Sequence, residues 1–209
     1  MKHAVIIAHP IAESLTCAVA KTYEESVKGL GQDVIVRDLY RMGFDPCLKA
    51  SEIPKPSGFQ FGTDVVAERK LLADVDVFAF VYPLWFNAPP AILKGYVDRV
   101  FSMGFGFEPG FGGSEPLLTG KQMISFTSSG APDHWVRDTG ALAALQALFD
   151  RHVSEMCGLR MVDHVHTGGI VSNITDEAFE DVLQAVRRSV EAHFGGLVRP
   201  PLSSPRMTT

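Results

Sequence analysis

The sequence predicts an α/β protein built on an open, five-stranded parallel sheet with helices on both faces. Short apolar runs rich in β-branched and aromatic residues alternate with longer segments of helical period, as in a parallel sheet buried on both sides. The chain has 209 residues, 46% of them hydrophobic, enough for one sizeable core and too few for two domains of ordinary size.

The elements follow in order. "AVIIA" at 4–8 is a strand, and 14–30 a helix with a hydroxyl at its start and Gly31 after its end. "DVIVRDL" at 33–39 is the second strand and 64–73, of mixed charge, the second helix. "VFAFVY" at 77–82 leads to a helix over 90–103 with proline in its first turn. "MISFT" at 123–127 precedes an Ala- and Leu-rich helix within 139–158, and "VDHVHT" at 162–167 precedes a last helix over 176–194, closed by Gly195-Gly196. The expected domain is 1–195, with a Pro- and Ser-rich, poorly ordered tail at 196–209. Two loops, 46–63 and 104–121, are long enough for functional lids or interfaces.

Nineteen basic against 24 acidic residues, a formal charge of -5, offer no general attraction for nucleic acid. Cys17, Cys47 and Cys157 are odd in number and widely spaced, which suits reduced thiols in the cytoplasm. The first apolar run ends at His9-Pro10, too early for a signal-peptide core, and no run approaches the ~20 residues of a membrane span. The expectation is a cytoplasmic protein without membrane insertion.

Ligands of an open parallel sheet bind beyond the carboxyl ends of its strands. The loop after strand one, "HPIAESLTCA", lacks the glycine patterns of a dinucleotide Rossmann site or a P-loop. It does place Ser14 and Thr16 where a helix begins, a setting for a phosphate. Trp85 and Phe86 after strand three can wall a planar ring, with Asn87 at a polar edge. Thr127, Ser128, Ser129 and Gly130 after strand four let backbone amides approach a ligand. Each has a structural alternative: Ser14 as an N-cap, His9 as a turn histidine, the two rings packed under the next helix, and the Ser-Gly segment as a plain turn.

"AHPIAESLTCAVA", "VRDLYRMGFDPCL", "YPLWFNAPPAILKGYVDRVF", "GFGFEPG" and "FTSSGAP", in this order, resemble the flavodoxin-like NAD(P)H:quinone oxidoreductases, the DT-diaphorase relatives. "MCGLRMVDHVHTGG" fits more loosely, and the resemblance spans most of 3–190. It implies a flavodoxin-like sheet of order 2-1-3-4-5 and a tightly held FAD, with FMN as the alternative. It also implies NAD(P)H as hydride donor, a quinone or similar acceptor, and ping-pong exchange. The family's flavin contacts fall on His9, Ser14, Leu15 and Thr16, then on Pro83, Leu84, Trp85, Phe86 and Asn87, then on Thr127, Ser128, Ser129 and Gly130. Phe107 and Trp135 are the implied substrate-pocket residues, and no obligatory catalytic side chain is assigned.

Some residues depart from the pattern. Where well-known members carry a tyrosine and then a histidine that stabilise charge on the reduced flavin, this chain has Trp135 and Ala141. Glu13 and Thr16 replace a hydroxyl residue and an asparagine. A homodimer is expected, because "GFGFEPGFGG" offers Phe105, Phe107 and Phe111 with little charge and because the resembling enzymes build each site from two subunits. The rival readings are a flavodoxin-type electron carrier, which the modest charge and the extra loop disfavour, and an ancillary subunit of a potassium efflux transporter. A metal centre on His134, His164 and His166 lacks a ligand pattern.

Overall fold

A computed structural model describes residues 1–56, 58–172 and 174–196. The chain runs β1 (Lys2–Ile7), α1 (Leu15–Gly29), β2 (Asp33–Asp38), α2 (Thr63–Leu72), β3 (Val77–Pro83) and α3 (Ala91–Val100). It continues through β4 (Phe107–Gly110), β5 (Gly113–Pro116), β6 (Gln122–Ser128), α4 (Asp133–Asp138), α5 (Ala141–Leu145), α6 (His152–Cys157), β7 (Arg160–Thr167) and α7 (Asp176–Phe194). The main sheet has the order β2-β1-β3-β6-β7, and every pairing in it is parallel. In sheet numbering this is the expected 2-1-3-4-5.

Strand alternation divides the core. Val5, Ile7, Val77, Ala79, Val81, Ile124 and Phe126 face α1 and α7, while Ala4, Ile6, Phe78, Phe80, Tyr82 and Met123 face the side covered by α3 and the α5–α6 segment. β3, at the centre, is buried along its whole length, which is why it reads as a continuous apolar run.

Four features depart from the expected elements. α3 stops at Val100 rather than at 103, because Arg69 inserts its guanidinium and takes the carbonyls of Arg99 (3.1 Å), Val100 (2.9 Å) and Met103 (3.1 Å). The expected loop 104–121 contains the antiparallel pair β4–β5. The 126–135 segment is partly helical, forming the start of α4. The Ala-Leu-rich helix is interrupted between α5 and α6 by one π-helical stretch, Gln146–Arg151. Such bulges occur often at functional sites.

Phe105 is also a correction: it is 9% exposed and packs edge-on against Phe101 rather than facing solvent, and Phe107 is half-buried. Phe111, by contrast, is wholly exposed. The tail expected at 196–209 lies outside the described residues from 197 onward. Among the described residues no helix is long and apolar enough to cross a membrane.

Candidate functional site

The first loop is set by the start of α1. Ser14 has an extended backbone and its hydroxyl accepts the Cys17 amide (3.2 Å), so it is the N-cap. That leaves the Leu15 and Thr16 amides outside the helical ladder, at the positive end of the helix. His9 is held by its own turn, its Nδ1 accepting the Ile11 amide (3.1 Å). Arg41, which the sequence reading passed over, braces this loop through the carbonyls of His9 (3.1 Å) and Pro10 (2.9 Å).

The second loop is a tight reversal. Trp85 and Ala88 exchange backbone hydrogen bonds of 3.1 Å in both directions, and the two residues between them, Phe86 and Asn87, have φ of +50° and +55°. This is the left-handed pair that a two-residue reversal requires. Asparagine tolerates it, but an aromatic side chain there is strained by about 1–3 kcal/mol. Asn87 Nδ2 anchors the turn to the Ala141 carbonyl (2.8 Å). Trp85 is 42% exposed and Phe86 fully so, which removes the alternative that both rings pack under α3.

The third loop is tied to its neighbours by backbone: Leu84 donates to the Ser128 carbonyl (2.7 Å), Ser129 to Thr167 (3.0 Å), and Ile170 to Ser129 (2.9 Å). A Cβ built on Gly130 would meet nothing closer than the Ile170 carbonyl at 3.6 Å. Packing within the chain therefore does not demand that glycine.

The three loops enclose a cleft of about 230 Å³ lined by His9, Ser14, Leu15, Thr16, Pro83, Leu84, Trp85, Ser128, Ser129, Gly130 and Ile170. The His9 and Trp85 rings face one another across 6.0 Å. Ten of the thirteen residues that the resemblance implied for the flavin thus share one cleft. Of the other three, Phe86 and Asn87 lie in the adjoining turn, and Thr127 is buried one layer below, beside a void of about 20 Å³ that Leu15, Thr16 and Ser128 also border. Ile170 is a lining residue that sequence reasoning missed. Phe107 and Trp135 are not in this cleft: Phe107 lines a second, apolar cleft of about 280 Å³ with Val97, Phe101, Leu148 and Met156, and Trp135 stands 52% exposed on α4.

The model of the family described as "Flavodoxin-like fold" matches residues 1–193. The chain belongs to this flavodoxin-like family. It is 32% identical over 200 residues, 95% of its own length and 98% of the relative's, to an uncharacterized NAD(P)H oxidoreductase of Haemophilus influenzae. To the ribosyldihydronicotinamide dehydrogenase [quinone] of Mus musculus it is 30% identical over 152 residues, covering 64% of this chain and 66% of that protein, so it spans slightly under two thirds of that relative. Among solved structures it superposes on the NAD(P)H:quinone oxidoreductase from Methanothermobacter marburgensis with a TM-score of 0.81 at 26% identity, covering 92% of this chain and 96% of that one.

Below the cleft, this flavodoxin-like chain carries a buried polar ladder on β6 and β7. Register places Ser125 beside His164 and Thr127 beside His166. Thr127 Oγ1 lies 2.7 Å from His164 Nε2 and 2.8 Å from His166 Nδ1, and Ser129 Oγ lies 3.2 Å from His166 Nε2. Asp150, from the π-helical stretch, accepts from Ser125 (2.8 Å) and pairs with His164 Nδ1. Both side chains of that pair are about nineteen-twentieths buried, at 4% and 5% exposed. Burial, reinforced by the neighbouring His164, pushes His166 down to about 4, so it is neutral at neutral pH.

The ladder had a sequence signal that went unused: Ser125, Thr127 and Ser129 alternate along one strand as His164 and His166 do along the next. Asp150 had none, because its facing depends on the π turn. His134 is exposed on α4 and makes no hydrogen bond to the ladder among the described residues. Among the described residues no group of three His, Cys, Asp or Glu side chains can hold a metal.

Proposed function

We propose that the chain is a cytoplasmic, flavin-dependent NAD(P)H oxidoreductase acting on a quinone or similar acceptor, with a single flavin-binding domain over 1–195. The observation that carries this is the shared cleft, which offers a flavin each kind of partner it needs. Ser14, Thr16 and the open amides of α1 would hold its phosphate. Trp85, 42% exposed beside the His9 ring, would wall the ring, with Phe86 and Asn87 in the same turn, while the Gly130 backbone, with Ser128 and Ser129 beside it, would serve its polar edge. The open space beside Gly130 fits the same group.

A bound flavin supplies two-electron transfer, accepting a hydride equivalent from NAD(P)H and passing it to the acceptor in alternate, ping-pong steps. The protein's own part is to orient, to exclude water and to manage protons. FAD is favoured by the resemblance, whereas a distant structural neighbour at 21% identity, an azoreductase of Bacillus anthracis, is described with FMN. We also infer a homodimer formed over the apolar cleft at Phe107, where Leu148 is 79% exposed, with Phe111, in the turn between β4 and β5, wholly exposed as well.

The test is the absorbance spectrum of the purified protein and chromatography of the released cofactor. Stoichiometric flavin is expected, and Thr16→Asp, which sets a carboxylate at the phosphate end, should weaken its binding several-fold or more. Protein that purifies colourless and takes up neither FAD nor FMN would overturn the reading. Sedimentation showing an active monomer at micromolar concentration would overturn the dimer.

A further inference from the structure

The ladder beneath the cleft has one end inside it, since Ser129 both lines the cleft and contacts His166. We propose that Asp150, His164, Thr127, His166 and Ser129 form a proton relay, which holds one proton on His164 against the Asp150 carboxylate and delivers it to the flavin cleft at Ser129 Oγ. The proposal rests on the flavoenzyme reading for the use of that proton, and on the ladder's own geometry for its existence.

Donor and acceptor counting supports it. Thr127 and Ser129 each have one hydroxyl proton, and each imidazole nitrogen either donates or accepts. In the loaded arrangement His164 carries two protons: Nδ1–H donates to Asp150 and Nε2–H to Thr127 Oγ1. Thr127 then donates to His166 Nδ1, His166 Nε2–H donates to Ser129 Oγ, and Ser129 donates to the Ala131 carbonyl, 2.9 Å away. In the emptied arrangement His164 keeps Nδ1–H on Asp150, and the other three links reverse. Thr127 donates to His164 Nε2, His166 Nδ1–H to Thr127, and Ser129 to His166 Nε2. The Ala131 carbonyl is then still satisfied by the Gly169 amide at 2.8 Å.

The two arrangements satisfy every member of the ladder and differ by one proton. On delivery the Ser129 O–H bond breaks toward a base in the cleft, and Ser129 Oγ takes the Nε2 proton of His166. His166 Nδ1 takes the hydroxyl proton of Thr127, and Thr127 Oγ1 takes the Nε2 proton of His164. One proton and one positive charge leave the ladder, and no electron moves. Reloading is the reverse, from water, while the cleft is open between ligands.

Reduction of a quinone by NAD(P)H consumes one proton per turnover, and the ladder holds one. Asp150 faces His164 only because the π-helical stretch turns it inward beside the equally buried Phe149. His166 stays neutral in both arrangements, as its burial requires. The charged groups around the ladder are Asp150, Arg151 and Asp163 beside His164, with Asp133 and Arg137 of α4 near His166.

Nitrogen-15 NMR of the full-length chain, labelled at histidine, tests this with or without flavin. As rising pH removes the proton from His164, His166 should change tautomer from Nε2–H to Nδ1–H without changing charge. Thr127→Val should abolish that coupled switch and Thr127→Ser restore it. A His166 that keeps one tautomer throughout the titration of wild-type His164, or a switch that survives in Thr127→Val, would overturn the relay. In flavin-loaded protein, His164→Gln should slow reduction of a water-soluble naphthoquinone about tenfold more than reduction of the flavin by NAD(P)H; equal slowing would also overturn it. Failure to bind FAD or FMN would defeat the proposed function instead, and the tautomer measurement decides the relay without either.

Discussion

Glu52 grips Arg99 with both carboxylate oxygens, at 2.8 and 2.9 Å, and each side chain is only 1% exposed. Asp64 (2.7 and 3.0 Å) and the Asp45 carbonyl (2.6 Å) complete the shell. The cluster fastens the loop after β2 to α3, the helix that leads out of the Trp85 turn. Arg99→Met, which leaves Glu52 buried without its partner, should cost about 3–5 kcal/mol in chemical denaturation. Arg99 also holds the Glu52 carboxyl down at about 2, against an ordinary 4.5. Glu52 therefore contributes stability that is complete above about 4.5 and lost as pH falls toward about 2, and Glu52→Gln should remove that part of the acid sensitivity.

His3 is the second pH-dependent element. It is fully buried between Tyr23 (2.7 Å), Gln32 (2.9 Å) and the Phe194 ring, and burial lowers it from 6.5 to about 4. Between those values the unfolded chain binds more protons than the folded one, so stability falls as pH falls through this window. His166 acts in the same direction. Urea midpoints at pH 7 and pH 5 should differ clearly in wild type and less in His3→Gln, and a wild type equally stable at both values would refute the assignment.

Phe86 holds a left-handed backbone with a wholly exposed ring. Phe86→Gly should relieve that strain and raise stability by about 1 kcal/mol, net of the greater freedom of glycine in the unfolded chain. Flavin or acceptor affinity should fall with it, because the ring adjoins the cleft. Thermal melting paired with flavin titration reads both effects, and a variant less stable than wild type would show that the ring packs on something the chain itself supplies.

Gly95 lies mid-helix in α3, where glycine is a poor helix former. A Cβ there would stand 2.2 Å from the Pro46 carbonyl oxygen and 2.6 Å from its Cα. Gly95→Ala should therefore destabilise the protein by about 1–3 kcal/mol despite the better helix propensity, since backbone must move to admit it. A stabilised variant would mean that the loop at Pro46 yields freely.

The sequence alone determined the five strands, their parallel arrangement and the three loops that meet at one edge, because each follows from local patterns: apolar runs, Ser14 before a helix, Pro89-Pro90 after a turn. Of the cleft residues, Ser14, Thr16, Trp85, Ser128, Ser129 and Gly130 were legible because loops that follow parallel strands converge on one side, whereas Leu15, Pro83 and Leu84 came from the family resemblance alone. Tertiary structure alone decided the rest. Arg69 ends α3 three residues early because its side chain supplies hydrogen bonds that the helix would otherwise make. Phe105 turns inward because Phe101 is there to receive it. Asp150 meets His164 across fourteen residues of chain through one π turn and one strand register. Such partners are set by packing between elements distant in sequence, and local pattern, which reports only what each segment does by itself, carries no record of them.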